Sequence, residues 1–134
     1  MRYGFLSAVL VLTFTACNWG RGPEDFGPAM GPEGARVAVR VRGENVDRVG
    51  ELFSIDSTGV TIRSGRLTRI GWARLDAMDI LRMGSDYDIR FGETVTAEKR
   101  ARLAPLSRFP QGFTGNLLGS VLSALSQSTL EEVR

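Results

Sequence analysis

Any chemistry in this chain has to be done without histidine, because none occurs among its 134 residues. That removes the imidazole base from nucleophilic triads and the commonest ligand from zinc sites. One cysteine, Cys17, and one lysine, Lys99, are present, and the other 16 basic residues are arginine. A single thiol cannot form a disulfide within one chain, and left bare in an oxidising compartment it is an odd leftover. A serine nucleophile would need a lysine or carboxylate partner. Lys99 falls in a charged helical pattern, where a solvated structural role is expected. Two carboxylate pairs stand close in sequence, Asp76 with Asp79 and Asp86 with Asp88. Such pairs divide acid and base work only where their surroundings separate their pKa values, and these fall in turns or on polar faces. Asp86-Tyr87-Asp88 offers too few oxygens for a calcium loop. These residues therefore predict no catalytic centre, no metal and no cofactor.

The residues around Cys17 carry a stronger signal. Arg2 is the only charge among the first 20 residues, and a 13-residue apolar run extends from Gly4 to Ala16. That run is shorter than the ~20 residues a helix needs to cross a bilayer core. A positive start, a short apolar stretch and a small residue at its exit describe a secretory signal peptide over residues 1–16. The motif Phe14-Thr15-Ala16-Cys17 resembles the lipobox of bacterial lipoproteins, with Phe14 standing where leucine is usual. The resemblance implies cleavage before Cys17, a diacylglycerol on its sulfur and palmitate-type acyl chains as the membrane anchor. Two or three buried chains hold far better than one, at about 0.8 kcal/mol per methylene. In the resembling Gram-negative family an aspartate after the cysteine favours the inner membrane. Asn18 stands there instead, which leans towards the outer membrane of the cell envelope. The alternative is an ordinary signal peptide, leaving a non-acylated periplasmic or secreted binding module.

Between Asn18 and Ala35 lie five glycines and three prolines with no apolar period. Residues 17–35 therefore read as an extended tether, with Trp19 placed to dip into the headgroup layer. From Arg36 the pattern changes to period two: Val37, Val39 and Val41 alternate with Ala38, Arg40 and Arg42, predicting a half-buried strand. Further strands are predicted over Val49–Asp56, Val60–Arg63, Leu67–Trp72 and Met78–Met83, joined by Gly- and Ser-rich turns. Residues 85–92 read as a sixth short strand or a crossing segment. The stretch from Gly50 to Arg63, followed by Leu67 to Ile80, resembles SH3-like or Sm-like small barrels. It has a glycine opening a bent strand, an acidic turn, a valine-rich strand and a strand ending near a helical turn. The resemblance implies a closed, antiparallel five-stranded barrel over residues 36–92, followed by two helices in residues 93–134. Thr94 or Thr96 would cap the first helix, which Pro105 stops. Thr114 would open the second, with Leu117, Leu118, Val121, Leu122 and Leu125 on one stripe. Ser128 with Glu131 predicts a capping box for a last short turn. The expected class is mainly β with a helical extension.

Charge is uneven along this body. Residues 36–74 hold eight arginines against four carboxylates, and residues 75–134 hold seven basic against eight acidic residues. Arg40, Arg42, Arg63, Arg66 and Arg69 are the candidates for contact with an anionic envelope component or headgroup surface. Sm-like barrels elsewhere often bind RNA. Single-strand binders pair basic charge with exposed aromatic platforms, whereas Phe53 and Trp72 fall at core positions here, so nucleic acid is not an expected partner. Gly115, Gly119 and Ser123 recur every four residues beside the leucine stripe. This small-residue groove is expected to pack the tail onto the barrel, or else to dock an envelope protein or a second copy.

Overall fold

The computed structural model describes residues 33–134. The expected signal peptide, Phe14, Thr15, Ala16, Cys17 and most of the expected tether lie outside the described residues. Six strands form one sheet: β1 (Arg36–Val41), β2 (Arg48–Ile55), β3 (Gly59–Ser64), β4 (Arg66–Gly71), β5 (Leu75–Ile80) and β6 (Glu131–Val133). Two helices, α1 (Ala97–Leu103) and α2 (Gly115–Ala124), complete the body. The spatial order is β5-β1-β2-β3-β4-β6, antiparallel throughout except that β6 runs parallel to β4. The class is mainly β with two short helices.

The expected closed barrel is not formed. A short 3-10 turn, Trp72–Arg74, carries the chain from β4 across to the free side of β1, where β5 pairs. Closure would then require the far edge of β4 to meet β5, but β6 occupies that edge. On its other side β5 meets only Ile89, through one isolated bridge from Met78. Long side chains reach across the sheet all the same: Arg48 on β2 meets Glu131 on β6 at 3.5 Å, over the two strands between them.

The alternation in β1 is as predicted: Val37, Val39 and Val41 are fully buried on one face. They join Leu52, Ile55, Val60, Ile62, Ile70 and Met78 in the main core, which Leu103 and Leu106 of the α1 region close over. Alternation places Phe53 on the face opposite Leu52, and a bulge between Leu52 and Ser54 returns Ile55 to the Leu52 side. On the opposite face Phe53 and Leu67 meet Leu122 of α2, with Phe109, Phe113 and Leu118 around them. Helices thus cover both faces of the sheet, α1 on the side of Val37, Val39 and Val41 and α2 on the side of Phe53 and Leu67. Gly50 permits the bend at the start of β2: a Cβ there would lie 2.3 Å from the backbone oxygen of Arg63.

Several boundaries differ from the sequence reading. The fifth strand is Leu75–Ile80 rather than Met78–Met83, because pairing with β1 starts directly after the 3-10 turn, where Arg42 N–H donates to the Arg74 carbonyl at 2.8 Å. The strand ends where Arg82 adopts a φ of 64°. Residues 85–92 form a 3-10 turn at Ser85–Tyr87 and the single bridge at Ile89, not a strand. Thr96, rather than Thr94, caps α1 by accepting from the Lys99 N–H at 3.1 Å. The capped last turn at Ser128 is replaced by β6. Gln127 spans the gap by pairing with both the N–H and the carbonyl of Leu67, each at 2.8 Å. The leucine stripe of α2 packs inward, but Gly115 and Gly119 face open space, with nothing within 4 Å of a Cβ built on either. The small-residue groove therefore does not hold the tail against the sheet.

Candidate functional site

The five arginines singled out from the sequence do not form one patch. Arg40 on β1 donates its Nε hydrogen to Asp47, and Arg42 pairs with Asp76 at 3.2 Å. The other three sit two and three strands away, on the β3–β4 hairpin. Arg66 meets Glu131 at 3.6 Å, and Arg69 lies between Asp56 at 3.7 Å and Glu132 at 3.6 Å. Only Arg63 is exposed with no carboxylate partner among the described residues. Four of the five cations are thus paired with carboxylates supplied by other strands and turns.

Electrostatics in these pairs follow from local hydrogen bonding. The Asp47 carboxylate raises the Arg40 pKa above its ordinary value through its hydrogen bond and charge. At Asp56 burial pushes the pKa upward. That push is outweighed by the Thr58 hydroxyl and N–H, the charge of Arg69 and the Gly59 N–H, so the carboxyl lies below its ordinary value. Glu44 is lowered by its hydrogen bond from Arg48, which is 2.6 Å away.

Arg48, Glu51 and Arg108 are the members of this charged system that the sequence did not reveal. Glu51 accepts from Arg108 Nε at 2.6 Å, from Arg108 Nη2 at 3.1 Å and from the Gly34 N–H at 2.8 Å. Beside it the Ala35 carbonyl accepts from Leu52 N–H, and the Leu52 and Phe53 carbonyls accept from Arg108 and Phe109. The chain is thus fixed to the sheet from Gly34 onward. A separation of 57 residues between Glu51 and Arg108 leaves no local pattern from which to read the pair.

Lys99 is structural but not solvated as expected. Its side chain is only 14% exposed near Glu93, at 3.4 Å. Its ammonium donates to the Asp88 carbonyl at 2.6 Å and the Asp86 carbonyl at 3.4 Å. It clamps the 85–93 segment onto α1 at the floor of an open, polar cleft of about 620 Å³. The acidic pairs do not work as pairs. A register shift at Arg40/Val41 leaves Asp76 and Asp79 on the same face of the sheet, but Asp76 is engaged there by Arg42 at 3.2 Å. The Asp88 carboxylate accepts from the Ile80 N–H at 2.8 Å, while no hydrogen bond or ion pair engages the Asp86 carboxylate among the described residues. Above the cleft, the turn at residues 90–93 presents Phe91 with 78% of its surface exposed. Its conformation is fixed by the Arg90 N–H donating to Glu93, which also lowers the Glu93 pKa. No helix among the described residues is long and apolar enough to cross a membrane.

Comparison of the chain with protein-family models, with curated proteins and with solved structures gives no match. Chemically, the charged groups of the body are arranged to fasten strands, turns and the incoming chain to one another. Binding through exposed Arg63, Phe91 and the sheet edges is open to it.

Proposed function

We propose that this chain is a lipid-anchored protein of the bacterial cell envelope with a non-enzymatic structural or binding role. The observation that carries this reading is Phe14-Thr15-Ala16-Cys17, placing the sole cysteine directly after a short apolar run and a small residue. Acylation gives that otherwise unpaired thiol a function, and the acyl chains supply membrane affinity that the folded body does not need to provide. The attachment of the body suits this role. Gly34 is bound to Glu51, so load on the tether passes into the centre of the sheet. The 16 residue steps from Cys17 to Glu33 would reach at most ~55 Å, enough to lift the body clear of the headgroups. Asn18 in place of an aspartate favours the outer membrane over inner-membrane retention.

The non-enzymatic part of the reading is supported by where reactive groups are engaged: Lys99 on two carbonyls, Asp88 on a backbone N–H and Asp76 on Arg42. The strand order β5-β1-β2-β3-β4, with a 3-10 turn between β4 and β5, supports kinship with SH3-like small barrels, opened here along one side. Metabolic labelling with an alkyne palmitate analogue tests the anchor. The unaltered protein should take up label and partition into detergent, and Cys17→Ser should do neither. Label retained by the serine variant would overturn the assignment.

A further inference from the structure

β6 is three residues long and, among the described residues, pairs only with β4, at Thr68–Glu131, Arg69–Glu132 and Ile70–Val133. It brings two carboxylates to an edge lined by arginines. Glu131 lies 3.5 Å from Arg48 and 3.6 Å from Arg66, and Glu132 lies 3.6 Å from Arg69. Well-formed pairs of this kind close to about 2.7–2.9 Å, so all three contacts are loose. Arg69 shows the consequence, since its Nε is buried without an acceptor among the described residues. Beside it opens a cavity of about 300 Å³, lined by Thr58, Arg69, Gly71, Glu132, Val133 and Arg134. Beyond the ladder, the strand is held by one apolar residue on each side, Leu130 in the core under α2 and Val133 in the core under α1. Between α2 and β6 the chain turns through Ser126, at a φ of 54°.

We propose that the outer edge of β4 is a strand-addition site for an extended acidic peptide, and that β6 is its displaceable occupant. Such a peptide would take the β4 ladder positions in place of Glu131–Val133, giving main-chain affinity, while carboxylates facing Arg66 and Arg69 would give selectivity. The occupant is identified by what the edge already holds: two adjacent carboxylates followed by an apolar residue. The unsatisfied Arg69 Nε and the adjoining cavity leave room for a carboxylate seated better than Glu132. The site stands whether or not Cys17 is acylated.

The test uses the full chain and a fluorescein-labelled peptide with the sequence of Ser128–Arg134, alongside a version with both glutamates replaced by glutamine. Loosening the resident strand with Glu131→Gln and Glu132→Gln should tighten binding of the acidic peptide ~10-fold, by removing competition. The glutamine peptide should bind at least ~10-fold more weakly to the same variant. Adding Arg66→Gln and Arg69→Gln should remove the difference between the two peptides. In the unaltered chain, hydrogen exchange at residues 131–133 should proceed by local opening, faster than the core strands. Equal binding of the two peptides overturns the proposal, as does exchange of residues 131–133 only on global unfolding. A dimer that trades β6 between copies, seen by sizing, overturns it too. Exchange is read on the unaltered chain, so it decides the point even where a multiple variant fails to fold.

Discussion

Glu51 on β2 and Arg108, 57 residues later, form a two-pronged ion pair, with Arg108 Nε and Nη2 at 2.6 and 3.1 Å from the two carboxylate oxygens. The same carboxylate receives the Gly34 N–H. One side chain therefore joins the incoming chain, the second strand and the segment between the helices.

Glu51→Ala should accordingly destabilise more than loss of a surface pair. It strands the Arg108 guanidinium and the Gly34 N–H in a part-buried setting, for a cost of about 2 kcal/mol. Arg42→Gln, which removes an arginine that is 66% exposed, should cost about 0.5 kcal/mol or less. Urea unfolding of the two variants checks the ordering. Equal losses would show that the Glu51 pair is no more than a surface contact.

Two glycines predict opposite signs for the same change. Gly119→Ala, in the exposed middle of α2 with open space around it, should stabilise by about 0.5–1 kcal/mol, because alanine restricts the unfolded chain and favours helix. Gly50→Ala places a methyl 2.3 Å from the Arg63 backbone oxygen, and the strand must shift. A loss of about 2 kcal/mol or more is expected, as for other overpacked sites. Thermal unfolding followed by circular dichroism reads both.

Stability should be nearly flat from about pH 5.5 to 8, where no histidine titrates. Asp56, Glu44 and Glu93 lie below their ordinary values of 3.8, 4.5 and 4.5 in the folded protein. Such groups contribute stability that is fully present above the unfolded pKa and lost as pH falls through the folded one. The urea midpoint should therefore decline as acid is added below about pH 5. Asp56→Asn should shallow that decline while lowering the plateau. A midpoint that rises on acidification would contradict these carboxylate assignments.

Lys99→Met should loosen the 85–93 segment without unfolding the sheet. Its ammonium hydrogen bonds hold the Asp86 and Asp88 carbonyls, next to the Ile89 N–H that donates to Met78 at 2.7 Å. Loss of about 1–1.5 kcal/mol of local support corresponds to ~10-fold faster exchange at Ile89. Unchanged exchange there would mean the clamp is idle.

The sequence shows the strands of the meander because period-two burial is a local property: Val37, Val39 and Val41 announce their face by alternation alone. Helix caps at Thr96 and Thr114 are equally local. Edges are not. Whether β4 closes onto β5 or accepts another strand depends on β6, and Glu131-Glu132-Val133 is too short and too acidic to announce a strand on its own. The pairing of the arginines is hidden for the same reason. Arg42, Arg66 and Arg69 are neutralised by Asp76, Glu131 and Glu132, partners supplied by other strands, and no spacing along the chain encodes such contacts. Small residues at Gly115 and Gly119 matched a packing pattern, but the leucine stripe beside them took the packing instead.

Intact-mass spectrometry of the protein extracted from membranes weighs the proposed anchor directly. The mass should correspond to a chain starting at Cys17 and carrying two or three acyl chains. A mass that starts at another residue, or a chain starting at Cys17 with an unmodified sulfur, would contradict it.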